Sequence, residues 1–279
     1  MNIKRILVPT DGSEYASRGV RYAVALAKRY GAALCGLHVV DIRLLEGPFL
    51  RDISASLGTA PYVNYQGNIS LILEERGAAA LEAFETACHE AGVACETTQV
   101  TGIVTRCIIE KSELTDLVVM GRGGEHSEWL DGLVGSTTAG VVRRAKQPVL
   151  VTGVDTPGTK RFLVAYDGSV HAKKALQAAA GIGVDWRMPC HVLVVGDSKM
   201  DFLLEEARSY LAAHSIEVSY NLRSGDPSEV IVAYAKECDA DLLVMGAYGH
   251  TKVRELVVGS TTAYALNHAP CPLLLSRQG

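Results

Sequence analysis

The sequence predicts an α/β protein built from two repeated domains, each a five-stranded parallel sheet with helices on both faces. Three observations carry this expectation. First, the chain states its motifs twice. Asp116-Leu117-Val118-Val119-Met120-Gly121 returns as Asp241-Leu242-Leu243-Val244-Met245-Gly246, Gly135-Ser136-Thr137-Thr138 as Gly259-Ser260-Thr261-Thr262, and Asp11-Gly12-Ser13 as Asp167-Gly168-Ser169. Second, the strand-like runs are apolar throughout instead of alternating, as in strands covered on both faces. Third, helical periodicities separate these runs, which is the pattern of a parallel sheet with crossover helices. The repeat is far longer than the roughly 20–50 residues of solenoid units, so it reads as a duplicated domain.

The offsets show where the copies differ. Asp11 to Asp167 is a shift of 156 residues, and Val39 to Val195 keeps it. Gly102 to Gly225 is a shift of 123, so the first copy holds 33 additional residues, the difference of the two shifts. Gly121 to Gly246 is 125 and Gly135 to Gly259 is 124, which leaves one extra residue in the first copy's glycine loop. The expected domains are residues 1–152, with an inserted segment at about 42–68, and residues 160–279. Residues 153–159, rich in turn formers, form the linker.

Each element has its own signal. Ile3 to Pro9 is a short apolar run closed by Thr10-Asp11-Gly12-Ser13, a strand followed by a turn. Tyr15 to Tyr30 sets Val20, Ala23, Val24 and Ala27 at helical spacing, and Gly31 stops the helix. Ala33 to Val40 is the second strand, Ile69 to Ala91 a long helix and Cys95 to Thr101 the third strand. Thr105 to Ser112 is a short helix, Leu117 to Met120 the fourth strand, and Gln147 to Val151 the fifth after the helix that follows Gly135. The second copy repeats the order. Its strands are expected at Arg161–Ala165, Cys190–Val195, Glu217–Leu222, Leu242–Met245 and Pro272–Leu275. Its helices are expected at His171–Gly181, Asp201–Ala213, Ser228–Cys238 and Thr261–Asn267. In the inserted segment Phe49, Leu50, Leu57, Tyr62 and Tyr65 are too apolar for a solvated tail, which suggests a lid or contact surface over a plain surface excursion.

Composition narrows the function classes. At 279 residues and 48% hydrophobic the chain suits two globular domains with their own cores. A net charge of −4 offers no basic field for nucleic acid or an anionic membrane. Seven cysteines, odd in number and without a Cys-x-x-Cys pair, suit packed thiols in a reducing compartment. Cys35, Cys190, Cys238 and Cys271 are read as such thiols. Met1 to Arg5 runs straight into a strand, and no apolar run is long enough to span a bilayer, so the expected location is cytoplasmic. The scattered histidines lack metal-ligand spacing, and His38 reads as a hydrogen-bonded core residue. No Lys stands beside either Gly-Ser, which excludes a Walker P-loop.

In open parallel sheets, ligands sit beyond the carboxyl ends of the strands. The repeated motifs fall at such ends, Asp-Gly-Ser after strand one and the glycine loop after strand four. Glycine admits close approach of backbone N–H groups to phosphate, and a following helix N-terminus adds partial positive charge. Taken singly, Asp-Gly-Ser and Gly-Ser-Thr-Thr are also ordinary turns and helix caps. Their ordered recurrence in one fold is what points to a ligand.

These residues resemble the universal stress proteins in their tandem two-domain form. ATP-binding members of that family show Gly-x2-Gly-x9-Gly-[Ser/Thr] after strand four, and the second copy fits as Gly246-x2-Gly249-x9-Gly259-Ser260. Val8 to Ser13 and Leu37 to Asp41 also look like the family's strand-one and strand-two ends. The resemblance covers nearly the whole chain. It implies a strand order of 3-2-1-4-5, adenine held by backbone after strand two, an Asp near the ribose, and pairing through strand five into an intramolecular pseudo-dimer. Whether two chains then form a homodimer stays open.

Carried over by the resemblance, Ala165, Tyr166 and Asp167 lie around adenosine and Val195 lies at the adenine edge. Gly246, Gly249, Gly259, Ser260 and Thr261 hold phosphates, with His250 beside Gly249. The first-copy counterparts are Pro9, Thr10, Asp11, Val39, Gly121, Gly124, Gly135, Ser136 and Thr137. There ten residues, not nine, separate Gly124 from Gly135, which turns the N–H groups that converge on an anion. Charge agrees. Residues 122–134 carry Arg122 against Glu125, Glu128 and Asp131, while residues 247–258 carry Lys252 and Arg254 against Glu255. Like charges within a Debye length of about 8 Å repel a polyphosphate. The expectation is therefore an ATP sensor or switch that binds chiefly in its C-terminal half, with Mg2+ accompanying the nucleotide and at most slow hydrolysis. The alternatives are a scaffold or chaperone-like protein with vestigial sites that docks a protein partner, and a nucleotide α-hydrolase or adenylyl-transfer enzyme.

Overall fold

The computed structural model describes residues 2–46, 62–124, 133–154, 156–158, 160–247 and 259–277. In the first half β1 (Arg5–Pro9), β2 (Ala33–Asp41), β3 (Cys95–Gly102), β4 (Leu117–Gly121) and β5 (Val149–Thr152) make a parallel sheet. The second half repeats it with β6 (Phe162–Ala165), β7 (Cys190–Val195), β8 (Val218–Arg223), β9 (Leu242–Gly246) and β10 (Leu273–Ser276). Each half has the strand order 3-2-1-4-5. The two are not separate sheets, however. β5 and β10 pair antiparallel through Val151↔Leu273, Leu150↔Leu274 and Val149↔Leu275, giving one ten-stranded sheet. These short apolar strands would otherwise be exposed edges, and mutual pairing satisfies both. The outer strands β3 and β8 hold only half-buried and exposed residues, in keeping with their place at the sheet edges.

Nine helices cover the described sheet: α1 (Glu14–Tyr30), α2 (Ile42–Glu46), α3 (Tyr62–Ala91), α4 (Val104–Ser112), α5 (Ser136–Arg144), α6 (Val170–Trp186), α7 (Asp201–Leu211), α8 (Pro227–Glu237) and α9 (Ser260–His268). Two continuous cores run across both halves. One joins Tyr22, Leu26 and Phe84 to Leu176 and Ala207 under α1, α3, α6 and α7. The other joins Ile108 and Val141 to Ile231 and Ala265 under α4, α5, α8 and α9. Between halves, the Trp186 Nε1–H donates to the Tyr30 hydroxyl at 2.7 Å.

Local chemistry sets the helix ends. Ser13 and Ser169 cap α1 and α6, each accepting from a backbone N–H three residues on. Gly31 ends α1 in the left-handed region at φ 58°. Two helices exceed the sequence expectation. α3 begins at Tyr62 instead of Ile69, because Gly67 and the flanking Asn64 and Asn68 hide the helical continuation. α6 runs through Gly181 and Gly183 to Trp186, because burial of Ile182 and Trp186 outweighs glycine's low propensity. A Cβ on Gly183 would come within 2.7 Å of Ile216, so that glycine permits close packing. Phe49, Leu50 and Leu57 of the inserted segment lie outside the described residues, as do the side chains of Tyr62 and Tyr65. All seven cysteines are free, and the four read as packed thiols are buried.

Candidate functional site

β1, β2 and β4 end together in the first half, and a cavity of about 280 Å³ opens beyond them. All nine first-half residues named from the sequence line it: Pro9, Thr10, Asp11, Val39, Gly121, Gly124, Gly135, Ser136 and Thr137. The backbone explains how they converge. Thr10 continues the β1–β2 pairing by donating to the Leu37 carbonyl at 2.9 Å, and its own carbonyl meets His38 Nδ1 at 2.9 Å. Asp11 Oδ1 accepts from the Ser13 N–H at 3.0 Å, and Gly12 makes the turn at φ 79°.

The glycines divide by role. A Cβ on Gly121 would stand 2.3 Å from the Tyr15 carbonyl oxygen, so α1 approaches β4 too closely for any side chain. On Gly124 it would stand 2.6 Å from Asp11 Oδ2, so the glycine loop folds directly onto that carboxylate. In the second half Gly246 resembles Gly121, with the Ala172 backbone nitrogen 2.9 Å from a Cβ placed on it. Gly259 differs. Its φ is −54°, and among the described residues the nearest atom to an added Cβ is Thr262 Oγ1 at 3.9 Å. Neither its backbone angle nor any described neighbour demands glycine there.

α5 and α9 start from Gly135 and Gly259 with no side-chain cap, unlike α1 and α6. Their first N–H groups, uncapped by the residue that precedes each helix, lie at the positive end of the helix dipole. Thr138 and Thr262, the last residues of the repeated Gly-Ser-Thr-Thr, are buried and turn back. Thr138 Oγ1 donates to the Gly121 carbonyl at 3.1 Å, and Thr262 Oγ1 to the Ala247 carbonyl at 3.0 Å. They fix the helix start against the strand end, a role the sequence reading had not separated from that of Ser136 and Thr137.

In the second half Ala165, Tyr166, Asp167, Val195, Gly246, Gly259, Ser260 and Thr261 occupy the corresponding strand and helix ends. Gly249 and His250 lie outside the described residues, with the rest of their loop. Tyr166 is only 3% exposed as a residue, and its side chain is committed to α7. Its hydroxyl donates to Glu206 Oε2 at 2.7 Å, and Lys173 pairs with Glu206 Oε1 at 2.6 Å. Burial first, then Glu206, raises the Tyr166 phenol above its usual value. Lys173 first, then Tyr166, holds the Glu206 carboxyl below its own.

Packing adds residues that carried no motif. Leu73 and Arg76 reach the first-half cavity from α3, and Leu44 and Asp41 stand at its β2 side. Burial works to raise the Asp41 carboxyl, but its hydrogen bonds and ion pair with Arg43 outweigh this and lower it. Arg122, counted above among the loop charges, is turned to the other half, where Nη2 donates to the Ala269 carbonyl at 3.0 Å. Asn267 Oδ1 of α9 accepts from the Val134 N–H at 2.7 Å, so α9 also touches the first-half loop. Among the described residues no helix is long and apolar enough to cross a membrane.

Comparison with known proteins agrees with this architecture. The sequence profile of the Universal stress protein family matches residues 2–153 and again 158–277. The chain belongs to the universal stress protein family, in tandem form. It is 30% identical over 289 residues to Universal stress protein Slr1230 of Synechocystis sp., covering 99% of this chain and 100% of that protein. Universal stress protein MJ0531 of Methanocaldococcus jannaschii is 32% identical over 151 residues, covering 53% of this chain and 81% of that one. Among solved structures, a universal stress protein from Archaeoglobus fulgidus DSM 4304 shares the fold over 100% of both chains, with TM-score 0.80 at 24% identity.

Proposed function

We propose that this universal stress protein is a cytoplasmic sensor or switch that binds ATP, with Mg2+ accompanying the nucleotide and at most slow hydrolysis. Adenine rests on backbone beyond β2 or β7, Asp11 or Asp167 lies near the ribose, and phosphates meet the N-terminus of α5 or α9. The single observation that carries this reading is the first-half cavity, which gathers all nine expected residues around an α5 N-terminus whose N-cap, Gly135, supplies no side-chain cap. A helix start of this kind is a ready anion site.

The C-terminal half is proposed as the tighter ATP site. Its glycine loop has the regular spacing, and among the described residues nothing stands closer than 3.9 Å to a Cβ placed on Gly259. The first-half loop is one residue longer, and its single arginine is engaged across the interface. The domain division proposed is 1–152 and 160–279 about a linker at 153–159.

Melting the purified protein in millimolar Mg-ATP tests binding. Saturation at about 100 times the dissociation constant adds about 2.7 kcal/mol, a clear rise in melting temperature. Unchanged melting would overturn the proposal. It would favour a scaffold with inherited glycine loops, a reading to which the lengthened first-half loop lends support.

A further inference from the structure

The two halves form an internal comparison. α6 corresponds to α1 with the 156-residue shift and α7 to α3 with the 123-residue shift. Contacts obey both shifts, since a Cβ on Gly12 would meet Ala80 and one on Gly168 would meet Leu203. In the second half Tyr166, Glu206 and Lys173 form a connected chain between α6 and α7. Their first-half counterparts are Thr10, Ala83 and Ser17, and Phe202 is matched by Ala79. Where Tyr166, Glu206 and Lys173 link α6 to α7 in the second half, the first half has smaller residues and a groove of about 490 Å³ between α1 and α3.

This groove adjoins the candidate nucleotide cavity, because Thr10, Asp11 and Arg76 line both. Its apolar lining is alanine with Val20 and Phe84, and its polar lining is Thr10, Asp11, Ser13, Ser17, Arg21 and Arg76. Glu14 accepts from Arg18 Nε at 3.3 Å and Arg21 Nη2 at 3.1 Å, so one carboxylate is shared by two cations. Among the described lining residues Arg21 and Arg76 are cationic and Asp11 is anionic, a formal balance of +1.

We propose that the first half takes an adenine nucleotide bearing a second phosphate on its ribose, with that phosphate in the α1–α3 groove on Arg21 and Arg76. The proposal rests on the nucleotide reading above, which sets Asp11 at the ribose, where the groove opens. A lone acidic residue beside a ribose suits free hydroxyls, whereas a nearby arginine accommodates a ribose phosphate. The guanidinium fork matches phosphate oxygens in charge and geometry. The second half excludes the same group twice over. Tyr166 fills the space, and the Glu206 carboxylate stands where the phosphate would lie.

The test is calorimetry on the full chain carrying Gly259→Trp, which blocks the second-half site. AMP is compared with adenosine 2′,5′-bisphosphate and adenosine 3′,5′-bisphosphate at one ionic strength. One bisphosphate should bind at least about tenfold tighter than AMP, equivalent to about 1.4 kcal/mol. Ser17→Lys with Ala83→Glu, which recreates the second-half pair, should reduce the ratio to about one while AMP affinity is kept. Arg21→Gln, an exposed change, should lower the ratio without altering the melting temperature. If Gly259→Trp melts early, the unsubstituted chain gives the same comparison as one of two sites. AMP binding with neither bisphosphate preferred would overturn the proposal and leave the nucleotide reading intact. No nucleotide binding by the Gly259→Trp chain, with binding by the unsubstituted chain, would overturn the proposal alone, whereas no binding by either chain would overturn both.

Discussion

Trp186 is the side chain whose loss should most directly expose how the halves depend on each other. It ends α6 at 7% exposure. Its indole N–H donates to the Tyr30 hydroxyl at 2.7 Å, and its carbonyl accepts from Arg29 Nη2 at 3.1 Å. The Arg29 guanidinium also lies 4.9 Å from the ring centroid. Tyr30 and Arg29 belong to the first half, so these contacts cross between the repeats. Trp186→Ala removes a buried indole, which costs about 3–5 kcal/mol. At about 2 °C per kcal/mol for a chain of this size, the melting temperature should fall by about 6–10 °C. Trp186→Phe keeps an aromatic ring but leaves the Tyr30 hydroxyl without its donor, a loss of about 1–2 kcal/mol. Its melting temperature should fall by about 2–4 °C at the same conversion. Scanning calorimetry of the three proteins reads both values. A Trp186→Ala variant that melts within about 1 °C of the parent would refute the brace and imply that the halves stand independently.

Other expectations follow from single positions. A Cβ on Gly77 would lie 2.3 Å from His38 Cδ2, so Gly77→Val should displace His38 from the Thr10 carbonyl and weaken first-half nucleotide binding. An unchanged affinity in calorimetry would contradict that dependence. Tyr166→Phe removes the hydroxyl that donates to Glu206 and should cost about 1 kcal/mol in chemical denaturation, with no loss counting against a stabilising role. Alkaline pH should destabilise the fold. Burial, then the Glu96 hydrogen bond, raises the Cys35 thiol to about 11, and burial first raises the Tyr30 phenol to about 12. Both groups hold their protons more tightly when folded, so their contribution is complete below the unfolded pKa values and fades as pH rises through the folded ones. Melting temperature should thus decline from about pH 9 to pH 12, and a flat profile there would refute the inference.

Much of this fold could be read from the chain because its signals are local and doubled. Asp11-Gly12-Ser13 and Asp167-Gly168-Ser169 marked the ends of β1 and β6, and the apolar runs ending at Gly121 and Gly246 located β4 and β9. The joining of β5 to β10 is a long-range pairing, reached through the family resemblance and not through periodicity. The full lengths of α3 and α6 were hidden by glycines, and in α6 the cost is offset by packing, as at Gly183 against Ile216. In the site, the backbone positions at strand ends were legible because glycine and Asp-Gly-Ser announce them. Arg76 and Leu73 were not, since nothing in a helix sequence tells which face will meet a distant strand end. The first-half groove is likewise invisible until Thr10, Ser17 and Ala83 come together from three separate stretches of chain.

The central claim, that nucleotide phosphates are held at the uncapped starts of α5 and α9, is tested most directly by titrating Mg-ATP calorimetrically into protein freed of carried-over nucleotide. The account predicts that Gly259→Trp abolishes the tighter binding event while Gly135→Trp spares it. Absence of binding to the unsubstituted chain at millimolar ATP, or equal binding by all three proteins, would contradict it.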